Sequence, residues 1–336
     1  MYSSNWEAIS LLARIKKEEE RLYGRTLPIF FTSNTMGHIG PVISGDRSLG
    51  GLARRQAKLK ELKLLYKHSL VLDAGMVTSG TKTQQFDSVL YKAYGEIFYD
   101  AVNLGSNELT SRPKILVDAH KMFRIPWISS NVLSPQWGKS VMGHKEIKTN
   151  KGIKVRILGL MDPSNIRQKT GRTYRTADMV TRIKESRLKW KEEPHLFIIM
   201  LNGAISTANS LAQNIPGIDV IILSGEKKAT EKPVINGKTL ILCPGSQGTH
   251  IGYLNLRFSK DFKIESYSHE RIALDSRISP DPSLQAILAK ASVLLDSLEM
   301  PVKGDDGYYS RTLPFVRSKD SSRGGDDLYK GRQNKL

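Results

Sequence analysis

Short apolar runs alternate with amphipathic segments through most of the chain. Residues 28–32, 69–72, 101–104, 126–129, 154–160, 196–200 and 220–223 have the length and apolar density of buried strands. Between them, 51–66, about 84–99, 113–122 and 177–190 carry helix-spaced apolar positions with polar residues on the opposite side. Strand alternating with helix predicts an α/β domain whose helices cover the sheet faces. After Lys232 the texture changes. Residues 239–243, 251–258 and 262–267 read as an antiparallel meander with Ser259-Lys260-Asp261 as a hairpin turn, and Ser279-Pro280-Asp281-Pro282 opens a last helix to about residue 298.

The two ends differ from this core. Ser4-Asn5-Trp6-Glu7 has the form of a capping box, and Trp6, Ile9, Leu12 and Ile15 recur at near-helical spacing. Residues 1–27 are therefore expected to form an amphipathic helix that docks on the domain or on a partner, ahead of a domain spanning 28–300. Residues 301–336 are polar and glycine-rich, with Gly304-Asp305-Asp306-Gly307 echoed at Gly324-Gly325-Asp326-Asp327. They read as a disordered tail or partner-binding arm.

Composition narrows the classes. At 336 residues and 39% hydrophobic the chain can bury a large core, and a single cysteine, Cys243 in an apolar run, excludes an intrachain disulfide and a cysteine-rich zinc site. The net charge of +18 draws in anionic partners. Half of the surplus falls in residues 139–193, which hold 15 Lys or Arg against 6 Asp or Glu. An acidic protein or anionic surface docked there is the expected partner. Dedicated nucleic-acid binding is not expected, because no RNA-binding aromatic signature or basic zipper accompanies the charge. No apolar run is long enough for a membrane span, and the charged run Lys16-Lys17-Glu18-Glu19-Glu20-Arg21 arrives too early for a signal-peptide core. As written the sequence reads as cytoplasmic; a trimmed or mispredicted start would make it extracytoplasmic.

The candidate chemistry sits at strand ends, where α/β proteins place it. Five are marked by glycine: Ser33-Asn34-Thr35-Met36-Gly37-His38, Asp73-Ala74-Gly75-Met76, Gly105-Ser106-Asn107-Glu108, Leu201-Asn202-Gly203 and Ser224-Gly225-Glu226-Lys227-Lys228. With Gly50-Gly51-Leu52-Ala53-Arg54-Arg55, Pro216-Gly217-Ile218-Asp219 and Gly248-Thr249-His250-Ile251-Gly252, they stand in one order over residues 28–298. That order resembles the calcineurin-like metallophosphoesterase domain of the 5′-nucleotidase family. The resemblance implies a four-layer α/β/β/α sandwich of two mixed sheets. It also implies two divalent metals that polarise a phosphoester and generate a hydroxide nucleophile.

The residues do not follow the family at its ligand positions. The resemblance places the Asp-x-His motif at Asn34 and Met36, the metal-bridging carboxylate at Met76, and the amide ligand at Ser106. It places the leaving-group acid at Asn107, a lone histidine at Asn202 and a Gly-His-x-His motif on Gly225, Glu226, Lys227 and Lys228. A thioether is a poor partner for a hard cation, and an ammonium repels one. His38, Asp73 and Glu108 remain as residual metal candidates. Lys227 and Lys228 are candidates for a metal-free anion pocket built with glycine-turn amides. The expected function is thus a catalytically degenerate phosphoesterase-like domain, a pseudoenzyme with no cofactor that serves as a structural or interaction module. The alternative is an active phosphoesterase with one divalent ion held by Asp73, Glu108 or Glu226. Gly45-Asp46-Arg47-Ser48-Leu49-Gly50-Gly51 lacks the lysine of a P-loop, and no Gly-x-Ser-x-Gly elbow is present.

Overall fold

The structure is a computed structural model that describes residues 25–80, 84–110, 113–138, 141–166 and 173–296, together with Ser10 and Arg14. The expected tail at 301–336 and most of the expected amino-terminal helix lie outside the described residues.

In chain order the strands are β1 (Arg25–Thr32), β2 (Pro41–Ser44), β3 (Arg47–Gly50), β4 (Leu70–Asp73), β5 (Ala101–Asn103), β6 (Trp127–Ile128), β7 (Val132–Leu133) and β8 (His144–Lys148). They continue as β9 (Lys154–Met161), β10 (Arg175–Thr176), β11 (Leu196–Asn202), β12 (Val220–Ser224), β13 (Val234–Asn236), β14 (Thr239–Leu242), β15 (His250–Phe258) and β16 (Ile264–Ala273). The helices are α1 (Leu52–Leu65), α2 (Gln84–Glu96), α3 (Pro113–Phe123), α4 (Met179–Leu188), α5 (Ile205–Asn214) and α6 (Pro282–Asp296).

Among the described residues the strands build two mixed six-stranded sheets. The first has the order β16-β15-β1-β4-β5-β6, the second β13-β14-β12-β11-β9-β8. They face one another across a core that includes Ile29, Phe31, Leu70 and Leu72 from the first and Ile157, Ile198, Met200 and Ile222 from the second. The near-continuous apolar runs of β1, β11 and β12 follow from burial on both faces. On the first sheet's other face, Phe30, Val71, Val102 and Trp127 pack against α1, α2, α3 and α6. On the second, Leu158, Phe197, Ile199 and Ile221 pack against α4 and α5. The result is the expected four-layer α/β/β/α sandwich.

Local chemistry explains the element boundaries. In α1 the buried positions Leu52, Arg55, Gln56, Leu59 and Leu62 keep helical spacing. Gly50 and Gly51 enter it at φ 86° and 97°, which glycine alone adopts freely. Pro28 sits within β1, but β4 begins to pair only at Ile29, so its missing N–H disturbs no bond on that side. Opposite Phe31, residue 252 must be glycine: the phenyl ring occupies the space of a Cβ there.

Two expectations need correction. The region after Lys232 is not one meander. β14 pairs parallel with β12 in the second sheet, whereas β15 and β16 form an antiparallel hairpin on the first. The link Pro244-Gly245-Ser246-Gln247-Gly248 carries the chain from one sheet to the other, with positive φ at Gly245, Gln247 and Gly248. Helix α5 is absent from the expected elements. Its Ser-, Thr- and Asn-rich sequence has weak helix propensity, and burial of Ala208 and Leu211 against the second sheet overrides it.

Candidate functional site

The strand ends converge and are tied to one another by their own polar groups. Asn34 N–H donates to Gly75 O (2.9 Å) and Met36 N–H to Met76 O (2.8 Å), joining the ends of β1 and β4. Asn34, Met36 and Met76 adopt φ of 52°, 50° and 63°. The left-handed region is costly for a methionine, so these bonds hold a strained backbone in place. The buried Asn34 amide then spans to the second sheet. Its Nδ2 donates to Glu226 O and Gly245 O, both at 2.9 Å, and its Oδ1 accepts from Gly225 N–H at 2.8 Å.

Asn202, also fully buried, repeats the arrangement from the other side. Its Oδ1 accepts from Ser106 N–H (3.1 Å) and its Nδ2 donates to Ser224 Oγ (3.1 Å). Ser224 Oγ donates in turn to Ala74 O (2.6 Å), and Ser106 Oγ donates to Met76 Sδ (3.4 Å). Asn34, Met76, Ser106 and Asn202 are thus brought into one hydrogen-bonded cluster.

Of the carboxylates, Glu108 borders this cluster and Asp73 lies away from it. Glu108 accepts from Gly105 N–H (2.7 Å), Thr78 N–H (2.8 Å), Thr78 Oγ1 (3.1 Å) and Met76 N–H (3.2 Å), clamping the turns after β4 and β5 together. Burial pushes its carboxyl up to about 7, against the pull of the bonds from Thr78 and Gly105. Because the folded pKa lies above the ordinary value of 4.5, the stabilising contribution is complete below pH 4.5 and is lost as pH rises through 7. We therefore expect unfolding free energy to fall by about 3 kcal/mol over that window on account of this group. Denaturation of wild type and Glu108→Gln at matched pH measures it: the wild-type slope should exceed that of the variant.

Asp73 points to the helix side of the first sheet. Its Oδ2 accepts from Thr32 Oγ1 (2.6 Å) and Tyr94 OH (3.1 Å), its Oδ1 accepts from Gly75 N–H (2.8 Å), and Arg55 Nη1 lies 3.9 Å away. Burial raises the Asp73 carboxyl, although Arg55, Thr32 and Gly75 oppose it.

Asn107 is buried and donates to Thr78 O at 2.7 Å. His38 is half-buried, its backbone bonded to Thr35 O. His250, beside Thr249, is driven down to about 4 by burial and the Arg271 charge, so it is neutral at pH 7. Glu226 is half-buried, while Lys227 and Lys228 are exposed. The amides that would cradle an anion beside those lysines are already engaged: Gly225 N–H on Asn34, Gly75 N–H on Asp73 and Gly105 N–H on Glu108.

A pair of hard divalent ions does not fit this donor set. Both asparagine oxygens are taken by backbone N–H groups, the methionines offer sulfur, and Asp73 and Glu108 are spent on internal donors. Among the described residues no three His, Cys, Asp or Glu side chains converge.

Sequence reasoning missed two residues that organise the site. Asn103 Nδ2 lies within bonding distance of Ala74 O, Leu160 O and Met200 O at 3.3, 3.1 and 3.0 Å, fastening one sheet to the other. Arg55, 1% exposed, anchors the Asp73 cluster. Arg55 stands in the Gly50–Arg55 motif without a predicted role, and for Asn103 the signal was a polar residue in a buried register.

The chain is 24% identical over 280 residues to the snake venom 5′-nucleotidase of Crotalus adamanteus, covering 75% of this chain and 47% of that protein. It is also 24% identical over 293 residues to the NAD 5′-nucleotidase of Haemophilus influenzae, covering 81% and 46%. This chain is similar to 5′-nucleotidases over about three quarters of its own length. It spans about half the length of the curated relatives it matches. No family model matches the chain. The 5′-nucleotidase fold is seen directly in the 5′-nucleotidase precursor of Thermus thermophilus, with a TM-score of 0.71 at 21% identity over 82% of this chain and 60% of that one. A calcineurin-like phosphoesterase of Bacillus subtilis superposes with a TM-score of 0.62 at 19% identity, over 80% of this chain and 97% of its own.

Proposed function

We propose that this 5′-nucleotidase-like domain is not a working binuclear phosphoesterase and serves as a structural or interaction module. The observation that carries the reading is the Asn34 side chain. Three hydrogen bonds to Gly225, Glu226 and Gly245 use its amide to close the cleft between the sheets, at the position where the family resemblance implies a metal-binding aspartate. The strained φ at Met36 and Met76 fits a backbone shape kept while its side chains changed.

Any partner is acidic, in keeping with the +18 charge. Several basic residues of 139–193 are engaged inside the fold, three of them with acids of the same segment, so the net surplus stands. Arg156 pairs with Glu146 at 2.8 Å and stacks on Trp190, Arg187 bonds Pro216 O, Lys154 pairs with Glu192 and Arg182 with Glu185. Lys148, Lys184, Lys189 and Lys191 offer the contact. An anion at the former metal position would rest on Lys227 and Lys228 alone.

Metal analysis of the purified protein, run beside hydrolysis of a nucleoside monophosphate and a generic aryl phosphate, tests the reading. The expected outcome is metal well below stoichiometric and no hydrolysis above a buffer control. Two bound equivalents of manganese, zinc or iron with turnover abolished by Asn34→Ala would overturn it. One equivalent with turnover abolished by Asp73→Asn or Glu108→Gln would establish the single-metal alternative instead.

A further inference from the structure

β1 and β4 in the first sheet and β11 and β12 in the second all end at the strand-end cluster, and β5, β6 and β9 run parallel to them. Their amino ends therefore share the opposite end, the base of the sandwich. The β8–β9 turn reaches the base as well, with Asn150 Nδ2 3.4 Å from His68 Nδ1. So does the β15–β16 turn, where Lys260 O accepts from Arg25 Nη1 at 2.8 Å. Residues 66–69, 97–100, 121–126, 148–154, 187–195 and 259–263 line this end and hold 11 Lys or Arg against 4 Asp or Glu. Two of those acids, Asp100 and Glu192, are already paired with Lys63 and Lys154.

Among the described residues the three most exposed large apolar side chains lie at this same end. Leu188 is 87% exposed, Met122 69% and Phe98 67%. Leu188 closes α4, Met122 falls in the last turn of α3 and Phe98 follows α2. Gly95 brings the last two together, because Phe123 O leaves no room for a Cβ on it and the ends of α2 and α3 touch. Apolar residues scattered singly over a surface are ordinary, whereas three gathered at one basic end mark a contact face. Arg124 points the same way. Its N–H donates to His120 O (2.8 Å) and its φ of 58° ends α3 in a left-handed position that glycine usually fills. A long cation is kept there at a conformational cost.

Shape selects the partner. α3 packs on the outer face of the first sheet and α4 on that of the second, so Met122 and Leu188 belong to opposite outer layers. At about 10 Å per layer they stand roughly 30 Å apart, too far for one peptide in a groove but within one flat surface. A rigid acidic protein would need a pocket for each apolar tip, whereas lipid headgroups part around them. We propose that the base is a peripheral docking face for an anionic lipid surface. Phe98, Met122 and Leu188 enter the headgroup layer, and Lys67, Lys121, Arg124 and the lysines of 148–154 and 187–195 meet the lipid phosphates. This names the acidic partner of the preceding reading, and it leaves the cleft facing away from the bilayer.

Flotation of the full chain with vesicles tests this. At about 0.1 M salt the protein should partition about tenfold better onto phosphatidylcholine vesicles carrying roughly 30% phosphatidylserine than onto phosphatidylcholine alone. The difference should shrink at about 0.5 M salt, where surface charges are screened. Phe98→Ser, Met122→Ser and Leu188→Ser combined should lower partition about tenfold, as should Lys121→Glu with Arg124→Glu. Ile43→Ser, a 63% exposed position in the β2–β3 hairpin, should leave it unchanged. Equal partition onto both vesicles, or none, overturns the proposal, and so does full binding by the triple variant. Capture on immobilised polyglutamate without vesicle binding overturns it in favour of an acidic protein. Should a variant fail to fold, the lipid and salt dependence of the wild type still decides. Metal content and hydrolysis enter no arm, so a failure here leaves the non-catalytic reading standing.

Discussion

Arg55→Met is expected to lower the free energy of unfolding by about 3–5 kcal/mol, the effect of removing one partner from a buried ion pair. Arg55 and Asp73 are 1% and 0% exposed, so neither charge is hydrated. The guanidinium donates to Thr35 Oγ1 (2.8 Å), Tyr94 OH (3.0 Å) and Tyr99 OH (3.2 Å) and lies 3.9 Å from the Asp73 carboxylate. Burial works against its charge, but Tyr99, Tyr94 and Asp73 outweigh burial and keep it protonated. Methionine has similar reach and no charge. It would leave the buried Asp73 carboxyl, already raised by burial, with only Thr32, Tyr94 and Gly75 to oppose that shift. The deficit should shrink as pH falls, because Asp73 can then take up a proton in the folded state. Urea denaturation at pH 7.5 and at pH 5 measures both parts. Combining Arg55→Met with Asp73→Asn should recover part of the loss, and a strictly additive double variant would show that the pair is not coupled.

The same substitution should loosen the strand-end cluster. The Arg55 guanidinium fills the space that a Cβ at Gly248 would need, and the preceding Gln247 N–H donates to Asn34 O at 2.7 Å. The helix-side network and the cleft-side network are therefore joined through the Gln247–Gly248 turn. A change confined to one has a structural route to the other.

Much of this architecture is legible in the sequence because strands buried on both faces are written as uninterrupted apolar runs. Such runs place β1, β9, β11 and β12 to within about three residues at either end. The glycines after the strands mark where the backbone turns, and those turns do meet. Sheet membership was not legible. β14 and β15 are adjacent in sequence and similar in texture, and only the unusual backbone at Gly245, Gln247 and Gly248 sends them to different sheets. Side-chain direction at a strand end was equally hidden. Asp73 and Met76 are three residues apart, yet one points among Arg55, Tyr94 and Thr32 while the other faces the cleft. A residue list treats them as one constellation, but the pleat and turn separate them. Helix α5 escapes the sequence pattern because propensity argues against it and burial on the second sheet decides otherwise.

Placing at residue 34 the aspartate that the family resemblance implies supplies the second decisive test. Asn34→Asp is expected to cost about 3–5 kcal/mol at neutral pH, because a buried donor becomes a buried anion facing acceptors. The amide Nδ2 of Asn34 sits 2.9 Å from both Glu226 O and Gly245 O, so a carboxylate oxygen there meets two carbonyl oxygens with no proton between them. The other oxygen retains the Gly225 N–H. Protonating the introduced carboxylate would recover one of the two lost bonds. Its folded pKa is therefore raised, and the variant should approach wild type at low pH and fall away from it as pH rises. Added manganese or zinc discriminates the underlying readings. With Met36, Met76, Ser106 and Asn202 unchanged, one new carboxylate does not make a site for a hard cation, and the thermal midpoint at pH 7.5 should be the same with and without metal. A metal-dependent gain in the variant, accompanied by phosphoester hydrolysis, would mean that the remaining donors still form most of a metal centre. The non-catalytic reading would then give way to that of an enzyme lacking a single ligand.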